Sequence, residues 1–189
     1  MDVRLALKSF WLTSALALGL SASSAPANLG VNEALLRAMF IERFTRFIDW
    51  PRGASVRESS NFKLCVYQDK SLTKILEPIY AKMKIKGQAI ITTHVSRLAD
   101  AESCHLIYLP EVSAEQTDAL NLLSSNHSVL IVGGEESAVE QDEIHINLYQ
   151  VASKMQIQVN AEALRNSGFK VDSRLLKYAK SKNNRGGSR

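Results

Sequence analysis

The chain has only two cysteines in 189 residues, and its four histidines stand singly at 94, 105, 127 and 145. No two histidines are spaced i, i+3 or i+4. Neither HExxH nor a cysteine-rich metal spacing occurs, so nothing marks a zinc site. The Gly-x-Ser-x-Gly elbow of serine hydrolases is missing. Gly133-Gly134-Glu135-Glu136 follows a strand-like run, where α/β sheets bind ligands. It lacks the Lys-Ser/Thr of a phosphate loop and carries two carboxylates instead, so a plain turn into a helix is the simpler reading. Nowhere do a nucleophile, a base and an orienting group assemble. The expectation is a protein that is not an enzyme, with no catalytic residue, no metal and no cofactor. No run after residue 27 is long and apolar enough to span a bilayer, and no repeat or linker divides the chain.

The first residues read as a targeting segment. Arg4 and Lys8 give a positive start, Phe10 to Leu20 an apolar run, and Ala25-Pro26-Ala27 a small-residue cleavage site, so residues 1–27 are expected to be a signal peptide cut after Ala27. No lipobox cysteine is present, and the product is expected to be exported and periplasmic, without stable membrane insertion. The formal net charge of +4 is uneven, because Lys177, Lys180, Lys182, Arg185 and Arg189 are crowded at the end. Residues 181–189 have no apolar side chain to bury and are expected to be a disordered, solubilising basic tail. Export makes nucleic acid an unsuitable partner.

Between these ends, residues 28–180 suit one domain with one core. Strand-like runs at Asn61–Tyr67, Gln88–Val95, Cys104–Pro110 and Ser128–Val132 alternate with helical ones. Ser71 is placed to cap a helix over Leu72 to Met83, which Pro78 should bend or shorten. Ser113 is placed to cap another, to about Leu123. Continuous apolar strands suggest burial on both faces, as in parallel sheets. Glu143 to Tyr149 and Lys154 to Val159 alternate instead, which predicts an antiparallel hairpin. Asn160 and Gly168 bracket a short helix, and Ser173 to Ala179 forms another. The fold class is therefore α/β: a single domain with a mixed, mostly parallel sheet, helices on both faces and a C-terminal antiparallel hairpin. His105 and His145 fall in strands, where a core or surface role is simpler than a ligand role.

One stretch is unusually heavy. Phe40, Phe44, Phe47 and Ile48 fall at i, i+4, i+7 and i+8, the stripe of an amphipathic helix, with Leu36 and Ile41 widening it. Pro51 should stop this helix at about Trp50. The stripe either covers a sheet or, at the Phe47, Trp50 and Pro51 corner, lines a small-ligand pocket. The two cysteines, Cys65 and Cys104, lie in the first and third of the four strand-like runs, which can be neighbours in a doubly wound sheet. An even count in an exported chain favours a disulfide between them. Two buried free thiols are the alternative.

The helix ending in Trp50-Pro51, just after a signal peptide, resembles the YfiR family of periplasmic regulators. Lys63-Leu64-Cys65-Val66-Tyr67, Cys104-His105-Leu106-Ile107-Tyr108, Ile146-Asn147-Leu148, Ile157-Gln158-Val159-Asn160, Arg165-Asn166-Ser167-Gly168 and Ser173-Arg174-Leu175-Leu176 follow in family order. The resemblance covers nearly the whole chain after the leader. It implies a homodimeric protein that binds the periplasmic domain of a membrane-bound diguanylate cyclase and represses it, linking envelope or redox state to cyclic di-GMP and biofilm formation. The chain departs from the family at Gln141 to Ile146, where Gly-Gly-Met-Ile and a second cysteine pair are absent. Its partner face is expected on the C-terminal helix pair, at Ala163, Lys170, Val171 and Leu175. A periplasmic small-ligand-binding sensor is the alternative.

Overall fold

The computed structural model describes residues 27–181 except Ser153, so residues 1–26 of the expected leader and residues 182–189 of the expected tail lie outside the described residues. Helix α1 spans Ala27–Thr45. Its inner face, Ala34, Ala38, Ile41 and Phe44, is almost fully buried. The sequence places the end of this helix near Trp50, but it stops at Thr45. The Thr45 hydroxyl turns back onto the Glu42 carbonyl at 2.7 Å. Ile48–Asp49 then leaves as strand β1, pairing antiparallel with β9, Lys170–Val171. Bonds from the far end of the chain thus replace helical ones that local periodicity favours.

In β2, Asn61–Tyr67, side chains alternate between two layers. Phe62, Leu64 and Val66 face the core under α1 and under α2, Lys70–Tyr80. Cys65 and Tyr67 face a second core, with Leu120 and Leu123 of α3, Thr117–His127. The N-cap of α2 is Asp69, not Ser71: its carboxylate accepts the Leu72 N–H at 2.8 Å. The helix ends at Tyr80, two residues beyond Pro78, rather than at Met83. Lys86 and Gly87, both at positive φ (52° and 82°), form the tight turn joining β3, Lys84–Ile85, to β4, Gln88–Val95. Beyond them come β5, Leu106–Leu109, and β6, Leu130–Gly133. A short 3-10 turn from Ala114 leads into α3, which extends to His127 instead of Leu123.

The expected hairpin is β7, Ile146–Val151, with β8, Lys154–Val159, paired antiparallel from Ile146 opposite Val159 to Val151 opposite Lys154. The chain closes with α4, Ala161–Asn166, then β9, α5, Ser173–Tyr178, and β10, Lys180–Ser181. β10 runs beside Gln158 and Val159 of β8, so sheet pairing includes Ser181. The main sheet has the order β10-β8-β7-β6-β5-β2-β4-β3. Its centre from β4 to β7 is parallel, and β3 and the hairpin add antiparallel pairs. The fold class read from the sequence stands.

β2 and β5 are adjacent and parallel, and Cys65 and Cys104 form a disulfide with their Cα atoms 6.0 Å apart. With the bond formed neither cysteine is a free thiol, so the free-thiol alternative falls; both residues are 2 % exposed, and the bond sits inside the second core. Closing a loop of that size stabilises a fold by about 4 kcal/mol in the chain-entropy picture. Replacing both cysteines by Ala is expected to lower the urea unfolding free energy by about that amount. In the wild type, reduction should wait for unfolding; rapid reduction of the folded protein would contradict the buried placement.

Candidate functional site

The ends of α1 and of the chain meet at one corner. Trp50 is 4 % exposed. Its ring packs edge-on against Phe62 at 5.6 Å and against Phe169 at 5.9 Å. Phe62 touches the His105 ring at 5.3 Å, and Phe169 touches the His145 ring at 5.1 Å. Five rings therefore form a continuous belt, His105–Phe62–Trp50–Phe169–His145, beneath the sheet face that carries α1. Aromatic contacts of this kind add about 0.5–1.5 kcal/mol each beyond burial. The Trp50 indole N–H also donates to the His105 carbonyl at 3.2 Å. Outside the belt, Pro51 lies against Gly168, where a Cβ would sit 3.3 Å from the proline ring and where φ is +78°. Both facts favour glycine there.

The two histidines do the same job at the starts of two strands. The His105 N–H donates to the Lys63 carbonyl at 2.9 Å, while its ring Nδ1 accepts the Lys63 N–H at 3.0 Å. The His145 N–H donates to the Ile131 carbonyl at 3.1 Å, and its Nδ1 accepts the Ile131 N–H at 3.0 Å. Each ring nitrogen stands in for a carbonyl that the neighbouring strand would otherwise lack. An occupied Nδ1 leaves the proton of the neutral ring on Nε2, which faces Ser59 Oγ at 3.3 Å in one case and Ser167 Oγ at 3.0 Å in the other. Each serine is thereby an acceptor from histidine, the reverse of what a nucleophile needs from a base. Burial, with Lys63 nearby, holds His105 down at about 4, and burial alone holds His145 at about 3.

The residues singled out in the sequence are drawn together only in part. Phe47 and Leu175 line one apolar groove of about 390 Å³ with Phe40, Phe44, Ile157 and Tyr178. Trp50 instead borders a more polar cleft with Asp49, Arg57, Lys86 and Gln88. Of the four partner-face residues, Ala163 and Leu175 are buried, Val171 is half-buried and Lys170 is exposed. Next to Phe47, the Arg174 guanidinium lies 5.3 Å from its ring centre and also grips Asp172 at 2.7 Å. That bond holds the Asp172 carboxyl at about 2. Sequence reading assigned no site role to Phe62, Phe169, Ser59, Ser167 or Arg174, although Ser167 and Arg174 stand within the family-like motifs. The one available signal was a histidine immediately before each of two apolar strands, at Cys104-His105-Leu106 and Ile144-His145-Ile146.

In this mixed α/β domain the two buried histidines bond backbone N–H groups of neighbouring strands. The chain belongs to the YfiR/HmsC-like family (DUF4154), whose family model matches residues 34–180. Membership supports a regulatory role in the periplasm rather than a catalytic one. Comparison with curated proteins found no match. Among the described residues no helix is long and apolar enough to cross a membrane.

Because the folded protein resists protonating these histidines while the unfolded chain takes protons near 6.5, stability is complete above that pH and declines below it. Each histidine should cost about 2 kcal/mol by pH 5. Urea unfolding between pH 7.5 and 5 is expected to show the combined loss, and His145→Gln should remove about half of the pH slope. A flat profile would mean that the rings are not buried neutral.

Proposed function

We propose that this protein binds the periplasmic domain of an inner-membrane diguanylate cyclase and holds it inactive, coupling the state of the envelope to cyclic di-GMP and biofilm formation. Family membership over residues 34–180 carries the reading. The serine-donating histidines support a binding role over a catalytic one. The buried Cys65–Cys104 bond favours an envelope input over a redox one, since a sensing disulfide is exposed or strained. On this reading the C-terminal corner meets the partner through exposed Lys170 and half-buried Val171, with Ala163 and Leu175 supporting it from below. A homodimer belongs to the same proposal.

A small-ligand sensor is the second reading, favoured by the groove of about 390 Å³ beside Phe47, a volume within the range of small-molecule sites. A thermal-shift screen with nucleotides and aromatic amino acids tests it, because a ligand stabilises the state it binds.

Leu175→Glu is not a selective test of the partner face. With Leu175 at 4 % exposure, the charge would be buried and the variant should unfold more easily by several kcal/mol. Lys170→Glu is the selective variant. In cells lacking the wild-type protein, it is expected to melt normally and to leave cyclic di-GMP high. Full repression by Lys170→Glu would place the contact elsewhere.

A further inference from the structure

Seven of the eight residues Ala34–Ile41 are apolar, Arg37 being the exception. A helix needs only one apolar face to cover a sheet. Ala34, Ala38 and Ile41 supply that face, and the opposite side remains apolar: Leu35 is 40 % exposed and Met39 50 %. Leu36, Met39 and Phe40 form, with Met83 and Lys84 across from them, a groove of about 440 Å³. Past Phe40 and Arg43 it continues into the groove beside Phe47 and Leu175. From Leu35 to Thr45, its last residue, the helix rises about 15 Å, nearly three turns.

The rim is cationic. Arg46 is paired with Glu42 at 2.6 Å, but Arg43 and Lys84 have no carboxylate partner among the described residues. We propose that this groove docks an amphipathic helix of a partner protein, its apolar stripe on Met39 and Phe40 and its carboxylates against Arg43 and Lys84. This follows the helix-in-groove mode of recognition. A second copy of this chain is the wrong occupant: among the described residues lining the groove the one carboxylate, Glu42, is already held by Arg46, so the same face of another copy would bring more cations and no spare carboxylate. The chain's own end, with Lys182, Arg185 and Arg189, carries the same sign. The inference deepens the repressor reading by naming the partner's contact element, and rests on it to that extent.

The test places a benzophenone amino acid at position 39 of the full chain, expressed with its own leader in its native cells, and at position 122 on α3 as a control. Irradiation is expected to join position 39, but not 122, to a segment of another protein with apolar residues at i, i+3 or i+4 spacing and at least two carboxylates. Arg43→Glu with Lys84→Glu, both at exposed positions, should reduce that adduct at least tenfold without changing the melting curve. An adduct to this chain itself, to phospholipid or to nothing would overturn the proposal, as would one indifferent to the charge reversal. Cyclic di-GMP in the same cells separates the two readings. If deletion of the protein raises it but the double reversal does not, the groove assignment fails alone. If deletion leaves it unchanged, the repressor reading fails, and the cross-linked segment alone decides the groove.

Discussion

Trp50 is the side chain on which the rest of the architecture depends. It is the middle ring of a belt from His105 to His145, and its indole N–H ties that belt to the backbone at the start of β5. The same residue follows β1, whose pairing with β9 brings the C-terminal helices under α1. Removing the ring would leave Phe62 and Phe169 without their shared neighbour and would open the core between the two ends of the chain. A large-to-small change at such a site costs about 3–5 kcal/mol. The aromatic corner is therefore structural at its centre and offers surface only at its margins, at Phe47 and Lys170.

The histidines extend the same logic. A parallel sheet buried on both faces must satisfy the donors of its strands without water. Here a neutral imidazole does so twice, each time with a serine behind it. The arrangement holds while the rings stay uncharged, so the fold is tuned to neutral conditions. Below about pH 6.5 the unfolded chain gains protons that the folded one refuses. A protein in the periplasm, the compartment of its family, would meet such acid before the cytoplasm does.

Much of this was legible in the sequence. Apolar runs such as Leu106–Leu109 marked the parallel centre, and alternation at Ile146–Val151 and Lys154–Val159 marked the hairpin, because strand burial leaves a local period. The cysteine pairing was legible through the order of the strands. The end of α1 was not: Phe47 and Ile48 continue the helical stripe, and only the partner strand at Lys170–Val171 turns them aside. Nor was the capping of α2 by Asp69 or the role of His105 and His145, since a ring nitrogen replacing a carbonyl depends on what the adjacent strand presents. Leu175 was placed on the partner face; its burial follows from its membership of the core cluster that holds Phe44, with Phe40 and Phe47 packed against that cluster, all distant in the chain.

The domain is braced by the buried Cys65–Cys104 disulfide, and the proposed repressor role would be exercised through its surface. The most direct test of that role is recovery of membrane partners by the tagged, exported protein from detergent-solubilised inner membrane, with and without reductant. A diguanylate cyclase recovered equally in both conditions is the predicted result, because the Cys65–Cys104 bond is buried and structural. Loss of the cyclase on reduction would contradict the structural role of the disulfide, and the absence of any cyclase in either condition would contradict the account itself.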